Sequence, residues 1–183
     1  AAAIAKVLKG KDIDGIVTSP FTRAFETASI VGKELDLPLI TAECVKEFRR
    51  PEPLYGHSHY SWASAKYIIN LFLNRNNEDW DDFGAENMFA VRNRIVDAKR
   101  LLAQVEGDRV AVFSHAIFID MFVQSVCADR SLKLREFVGA FFGAKKLPNT
   151  GVVAFQLDEN APPETCSWWL LSEETDRHYL KYR

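Results

Sequence analysis

An α/β fold, with a three-layer arrangement of a mostly parallel sheet and helices on both faces, is predicted by three observations. Short apolar, β-branched runs alternate along the chain with longer segments of helical period. Ile16-Val17 reads as a buried strand and Val110–Phe113, a continuous apolar run, as one buried on both faces. Each of the two runs straight into a helix, leaving polar residues at the C-terminal end of the strand, where the ligand crevices of open α/β sheets lie.

Taken in order, Asp14-Gly15 breaks the chain before the first strand. Thr18-Ser19-Pro20 supplies a capping hydroxyl followed by the proline that helix starts favour. Residues 21–35 carry Phe21, Ala24, Ala28, Val31 and Leu35 at helical spacing, which predicts an amphipathic helix. Asp36-Leu37-Pro38 stops it, and Leu39-Ile40-Thr41 reads as a second strand. Residues 43–61 are rich in Pro, Gly, His and Arg without a steady period, a long loop of the kind that is often functional. A helix over 61–72 is expected to present Trp62, Ala65, Ile69 and Phe72 on one face, before an acidic stretch around Trp80.

Gly84-Ala85-Glu86-Asn87 introduces a helix over 88–105, with Met88, Val91, Ile95, Ala98, Leu102 and Val105 on its apolar side. Arg92, Lys99 and Arg100 read as its solvated face. After the Glu106-Gly107-Asp108 turn and the strand Val110–Phe113 come Ser114-His115 and an apolar helix over 116–128. A further helix is expected over 130–142, with late strands over 152–157 and 167–171. Asn160-Ala161-Pro162-Pro163 reads as the loop between those strands, and His178 and Tyr179 as peripheral.

The 183 residues, 48% hydrophobic and 26% charged, match an ordinary globular domain and exclude disorder. A formal net charge of −2 provides no basic field of the kind nucleic-acid binding uses, so any phosphate recognition is expected to be local. No apolar run approaches the roughly 20 residues needed to cross a bilayer, and the most apolar one, over 116–128, is interrupted by Asp120 and Gln124. Cys44, Cys127 and Cys166 are widely separated and odd in number, which argues against a complete disulfide framework and for a reducing cytoplasm.

Arg23 lies one turn into a helix whose N-terminus favours an anion, where a guanidinium can grip it through two hydrogen bonds. The competing reading makes Arg23 a surface residue paired with Glu26 or Glu34. His115 stands at the corresponding end of the later strand and could meet Arg23 there, although a histidine beside apolar residues is commonly a satisfied core residue. Glu47, in the long loop, could supply a proton to a leaving oxygen, or it could merely pair with Arg49 or Arg50. His57 and His59, beside Tyr55 and Tyr60, either touch substrate or line the loop.

The segment Thr18-Ser19-Pro20-Phe21-Thr22-Arg23-Ala24-Phe25-Glu26-Thr27-Ala28 resembles the Ser-Pro-x-x-Arg-Ala-x-x-Thr-Ala signature of the histidine phosphatase superfamily, the phosphoglycerate mutase-like proteins. The apolar strand ending in Ser114-His115 resembles its second signature. Cys44-Val45-Lys46-Glu47 resembles the segment where members carry an acidic residue, and Pro148-Asn149-Thr150-Gly151 their late Asn-Thr turn. The family's Arg-His-Gly segment, whose histidine becomes phosphorylated, is not found among the 183 residues, and residues 1–9 look like the end of the helix that follows it. The fold is therefore expected with its first strand missing, with unpaired edges on Ile16-Val17 or Val110–Phe113, and with an unstable or self-associating chain.

The resemblance implies a single domain over residues 1–183, with a helical insertion at about 55–85 over the catalytic mouth that governs substrate choice. It implies a phosphomonoester phosphatase working through phosphohistidine, without metal or other cofactor. Arg23 and His115 would hold the phosphoryl group, assisted by backbone N–H groups after His115, with Ala116 where members commonly have glycine. Glu47 would act as proton donor. The partner would be a small phosphorylated metabolite or a phosphorylated side chain, with neither nucleic acid nor membrane involved. The alternative is a phosphate-binding module without the nucleophile; mutase activity fits less well.

Overall fold

The computed structural model describes residues 1–58, 61–127, 132–143, 151–162 and 165–171. His59 and Tyr60, Arg130, the Asn149-Thr150 turn, Pro163, His178 and Tyr179 lie outside the described residues.

Three parallel strands form the centre, in the order β2 (Leu39–Thr41), β1 (Gly15–Thr18), β3 (Val110–Phe113). Ile16 lies opposite Leu39 on one side and Ala111 on the other. Ile16 and Val17, both fully buried, point to opposite faces of the sheet, as the strand period requires. Ile16 joins Ile4, Ala5, Ala28 and Val31 from α1 (Ala2–Leu8) and α2 (Thr22–Leu35). Val17 joins Val91, Ile95 and Ala98 of α4 (Met88–Gln104) together with Phe118, Met121 and Phe122 of α5 (Ala116–Ser125). Helices thus cover both faces, and β1 owes its continuous apolar character to that double burial.

Most elements form where periodicity places them, and the departures have physical causes. Within the long loop the chain makes two short 3-10 turns, Glu43–Val45 and Glu52–Leu54, that bury Val45 and Leu54. On α3 (Trp62–Leu73) the expected face is wrong: Ser64, Tyr67 and Leu71 are buried, while Trp62 and Ile69 are exposed at 83% and 55%. The helix is apolar nearly all round, so its pattern leaves the inner face open. Packing decides it, by stacking Tyr67 on Trp80 and setting Phe72 against Phe137 of α6 (Leu134–Gly143).

Lys99 is not simply solvated, since its Nζ donates to the Val126 carbonyl at 2.9 Å. The late strands β4 (Phe155–Leu157) and β5 (Trp168–Leu170) pair antiparallel in a sheet of their own. Among the described residues β3 pairs with β1 alone, and Val112 is 38% exposed. Of the two strands expected to be left with an edge, β3 is therefore an edge strand among the described residues, as β2 is on the other side, while β1 has a neighbour on each side.

The cysteine reading needs correction. Cys127, just past α5, and Cys166, just before β5, form a disulfide across a Cα–Cα distance of 5.1 Å, leaving Cys44 free. Residues 39 apart in sequence meet because α5 packs against the β4–β5 sheet, with Phe122 in edge contact with Phe155 and Trp168. The pairing removes the argument from cysteine usage for a reducing compartment. Among the described residues no helix is long and apolar enough to cross a membrane.

Candidate active site

The C-terminal ends of β1 and β3 lie side by side, because Thr18 is in register with Phe113 and the Ser19 N–H donates to the Phe113 carbonyl at 2.9 Å. Whatever follows each strand is therefore delivered to one place. After β1 the chain buries Thr18 and Ser19 completely and starts α2 with Phe21 in extended conformation. Arg23, one residue into the helix, reaches out with its side chain 69% exposed. After β3 it passes Ser114 and puts His115, 3% exposed, at the N-cap of α5.

Arg23 Nε donates to His115 Nδ1 at 2.8 Å, which joins residues 92 apart in sequence. With Nδ1 accepting, the imidazole proton is assigned to Nε2, which donates to Ser19 Oγ at 2.8 Å. Ser19 Oγ also accepts from the Phe21 N–H at 3.2 Å. The hydroxyl read as a helix cap thus serves the histidine as well as the chain just before α2. Phe21, placed by its spacing on the buried side of the helix, is instead 45% exposed, with its ring edge against the imidazole at 5.4 Å between centroids.

Glu47 arrives from the loop after β2 and completes the group. Its Oε2 accepts from Arg23 Nη2 at 3.3 Å, and its Oε1 accepts from the N–H groups of Phe48 and Phe118 at 3.0 and 3.1 Å. Phe118 N–H is one of the first-turn donors of α5 that have no partner within the helix. The structure therefore brings Arg23, Glu47 and His115 together, in place of the pairings of Arg23 with Glu26 or Glu34 and of Glu47 with Arg49 or Arg50. Ala116, half-buried, is the first residue of α5 beside them. His57 is exposed in the turn after Leu54, to whose carbonyl its N–H donates.

Burial shapes the electrostatics of both titrating groups. It pushes His115 down to about 4, with the cations of Arg23 and Arg94 acting in the same direction, so the imidazole is neutral near pH 7. Burial also raises the Glu47 carboxyl above its usual range, against the pull of the two N–H groups and the two arginines. A carboxyl so raised gives up a proton at a higher pH than an exposed one, which suits a group that must be an acid and then a base. An exposed guanidinium, a buried imidazole and the first turn of α5 thus meet around the Glu47 carboxylate, and the guanidinium and the helix N-terminus are groups suited to an oxyanion.

Three participants were not legible as such. Ser19 reads in the sequence as a helix cap and as the serine of the first signature, neither of which places it against His115. Arg94 and Glu86, 11% and 8% exposed at the side chain, form an ion pair behind the Glu47 loop. The only trace of that pair in the sequence is a glutamate just before the Asn87 cap and an arginine beside Ile95, too common a pattern to single out.

Solved structures share this architecture. A mycobacterial glucosyl-3-phosphoglycerate phosphatase matches with a TM-score of 0.62 at 19% identity, over 92% of this chain and 81% of that one. A structure of that enzyme with inorganic phosphate matches with a TM-score of 0.62 at 18% identity, over 93% and 81%. A mutant phosphoserine phosphatase from Entamoeba histolytica, in complex with phosphoserine, matches with a TM-score of 0.59 at 22% identity, over 94% and 79%. No curated protein matches the chain. The family model described as the histidine phosphatase superfamily, branch 1, matches residues 1–162, and the chain belongs to that superfamily.

Proposed function

We propose that the protein is a metal-independent phosphatase that hydrolyses a phosphomonoester through a phosphohistidine. The observation that supports this reading best is the convergence of Arg23, His115 and Glu47 from three separate elements, with Arg23 bridging the other two at 2.8 and 3.3 Å. Arg23 donates from its guanidinium to the other two members of the site. An incoming phosphate offers the same N–H groups a doubly charged acceptor. Its charge also raises the proton affinity of His115, which then donates to a phosphoryl oxygen.

In the first half-reaction a histidine nitrogen attacks phosphorus, the bond from phosphorus to the leaving oxygen breaks, and the Glu47 carboxylic acid gives its proton to that oxygen. In the second, the Glu47 carboxylate takes a proton from water as the water oxygen attacks phosphorus, and the nitrogen–phosphorus bond breaks to release phosphate. The accepting histidine belongs to an Arg-His-Gly strand, which the 183 residues do not contain, so the proposal concerns a chain that carries one. Ala116 contributes its N–H to the phosphoryl pocket. The substrate is a small phosphorylated metabolite or a phosphorylated side chain, selected by the segment at about 55–85.

The alternative is a phosphate-binding module, in which the same donors hold the anion without chemistry. One experiment separates the two: metal-free hydrolysis of a generic aryl phosphate by a chain that carries the Arg-His-Gly strand, with Arg23→Ala and His115→Ala measured beside it. The phosphatase reading expects turnover that both substitutions abolish. Turnover that survives both removes it, and absent turnover with phosphate or vanadate still raising the melting temperature favours the binding module.

A further inference from the structure

The loop that carries Glu47 is held in an unusual way. Three successive carbonyls just ahead of the glutamate are each taken by a side chain from another element. Arg94 Nη1 donates to the Lys46 carbonyl at 2.6 Å and to the Cys44 carbonyl at 3.4 Å, and Ser114 Oγ donates to the Val45 carbonyl between them at 2.7 Å. The other edge of the Arg94 guanidinium is gripped by Glu86, with Nη2 donating to Oε2 at 2.7 Å and Nε to Oε1. Glu86 then reaches the far side of Glu47. Its Oε2 accepts from the Arg49 N–H at 3.4 Å, and its own N–H donates to the Arg49 carbonyl at 2.9 Å.

The same guanidinium lies 4.7 Å from the centre of the Phe118 ring, and the Phe118 N–H is one of the two that hold the Glu47 carboxylate. A planar fork with five donors is suited to this multiple grip, and an ammonium is not. We propose that Arg94, oriented by Glu86, is a positioning residue for Glu47: it clamps the backbone on both sides of the glutamate and seats the α5 turn that donates to it. Arg94 makes no hydrogen bond to Glu47; its charge acts on Glu47 through space, and its hold on the geometry passes through the Lys46 carbonyl and Phe118. This rests on the reading of Glu47 as the proton donor only for its catalytic consequence; the clamp itself stands on geometry.

The test follows residue-by-residue amide hydrogen exchange by NMR in the protein and in Arg94→Lys and Glu86→Gln. Arg94→Lys keeps the charge, and Glu86→Gln keeps the size and polarity of the side chain. The expected result is that Phe48 and Phe118 N–H exchange about tenfold faster or more in both variants, as loss of charge-assisted hydrogen bonds implies, while Val17 keeps its protection. Unchanged exchange at Phe48 and Phe118 in either folded variant overturns the proposal. So does acceleration across β1 and α4 together, the mark of a merely structural pair.

On the active protein, a series of aryl phosphates with leaving groups of increasing basicity provides a second readout. Arg94→Lys is expected to lose more kcat as the leaving group grows more basic, with KM unchanged, in parallel with Glu47→Gln. A uniform loss for Glu47→Gln across the series would reject Glu47 as the acid, and the exchange data would still decide the clamp.

Discussion

At the end of β1 the chain buries Thr18 and Ser19 and leaves Arg23 in solvent, whereas at the end of β3 it buries His115 and opens the first turn of α5 to a carboxylate from another segment. Both crossings are apolar strand, hydroxyl residue, helix, and they lie in register on adjacent strands. The first presents a long charged side chain that gains mainly from what it meets outside. The second presents a short ring whose state is set by what surrounds it. A phosphate site needs both kinds of group: a mobile cation that follows the ligand, and a fixed donor whose proton affinity the ligand can change.

This comparison can be broken most directly at Arg23. Because the side chain is exposed, Arg23→Ala is expected to leave the melting temperature of the free protein nearly unchanged. It should cost about 1.5–3 kcal/mol of phosphate or vanadate affinity, read by ligand-dependent thermal shift. A large drop in the stability of the free protein would show that the two crossings are more alike than the geometry says. At the buried side, Ser19→Ala removes the acceptor of the His115 Nε2 proton and of the Phe21 N–H. About 1–2 kcal/mol of folding stability should be lost, measurable by urea denaturation. A neutral result would mean that the serine is dispensable to the imidazole.

The smallest and most specific effect is on pH dependence. His115 is depressed from 6.5 to about 4 in the folded chain. Between those values the unfolded chain binds a proton that the folded chain does not, so this histidine makes stability fall as pH falls through that window. Its contribution is fully present above about pH 6.5. His115→Gln should flatten the slope of unfolding free energy between pH 6.5 and 4; an unaltered slope would place the titration elsewhere.

The comparison also shows where legibility ended. Ile16-Val17, Val110–Phe113 and the helices after them were readable because burial on two faces forces continuous apolar runs and because 3.6-residue spacing marks α2 and α4. Arg23 and His115 could be selected because a polar residue just after a buried strand is conspicuous, and Glu47 because the long loop and the family resemblance singled it out. Ser19 could not be read as the histidine's partner, since a serine before a proline has the same appearance when it only caps a helix. On α3 the apolar residues surround most of the helix and only Lys66 and Asn70 mark an outer side, so their spacing left the inner face undecided, and Trp62 emerged exposed.

Local chemistry by itself determined the order of elements and the two strand-to-helix crossings that present Arg23 and His115, since propensity, capping and period act over a few neighbouring positions. Three features were decided only when distant segments packed. They are the neutral state of His115, the grip of Arg94 and Glu86 on the Glu47 loop, and the joining of Cys127 to Cys166. Desolvation and hydrogen bonding between residues tens of positions apart depend on which surfaces meet, and that is a property of the assembled core rather than of any stretch of chain.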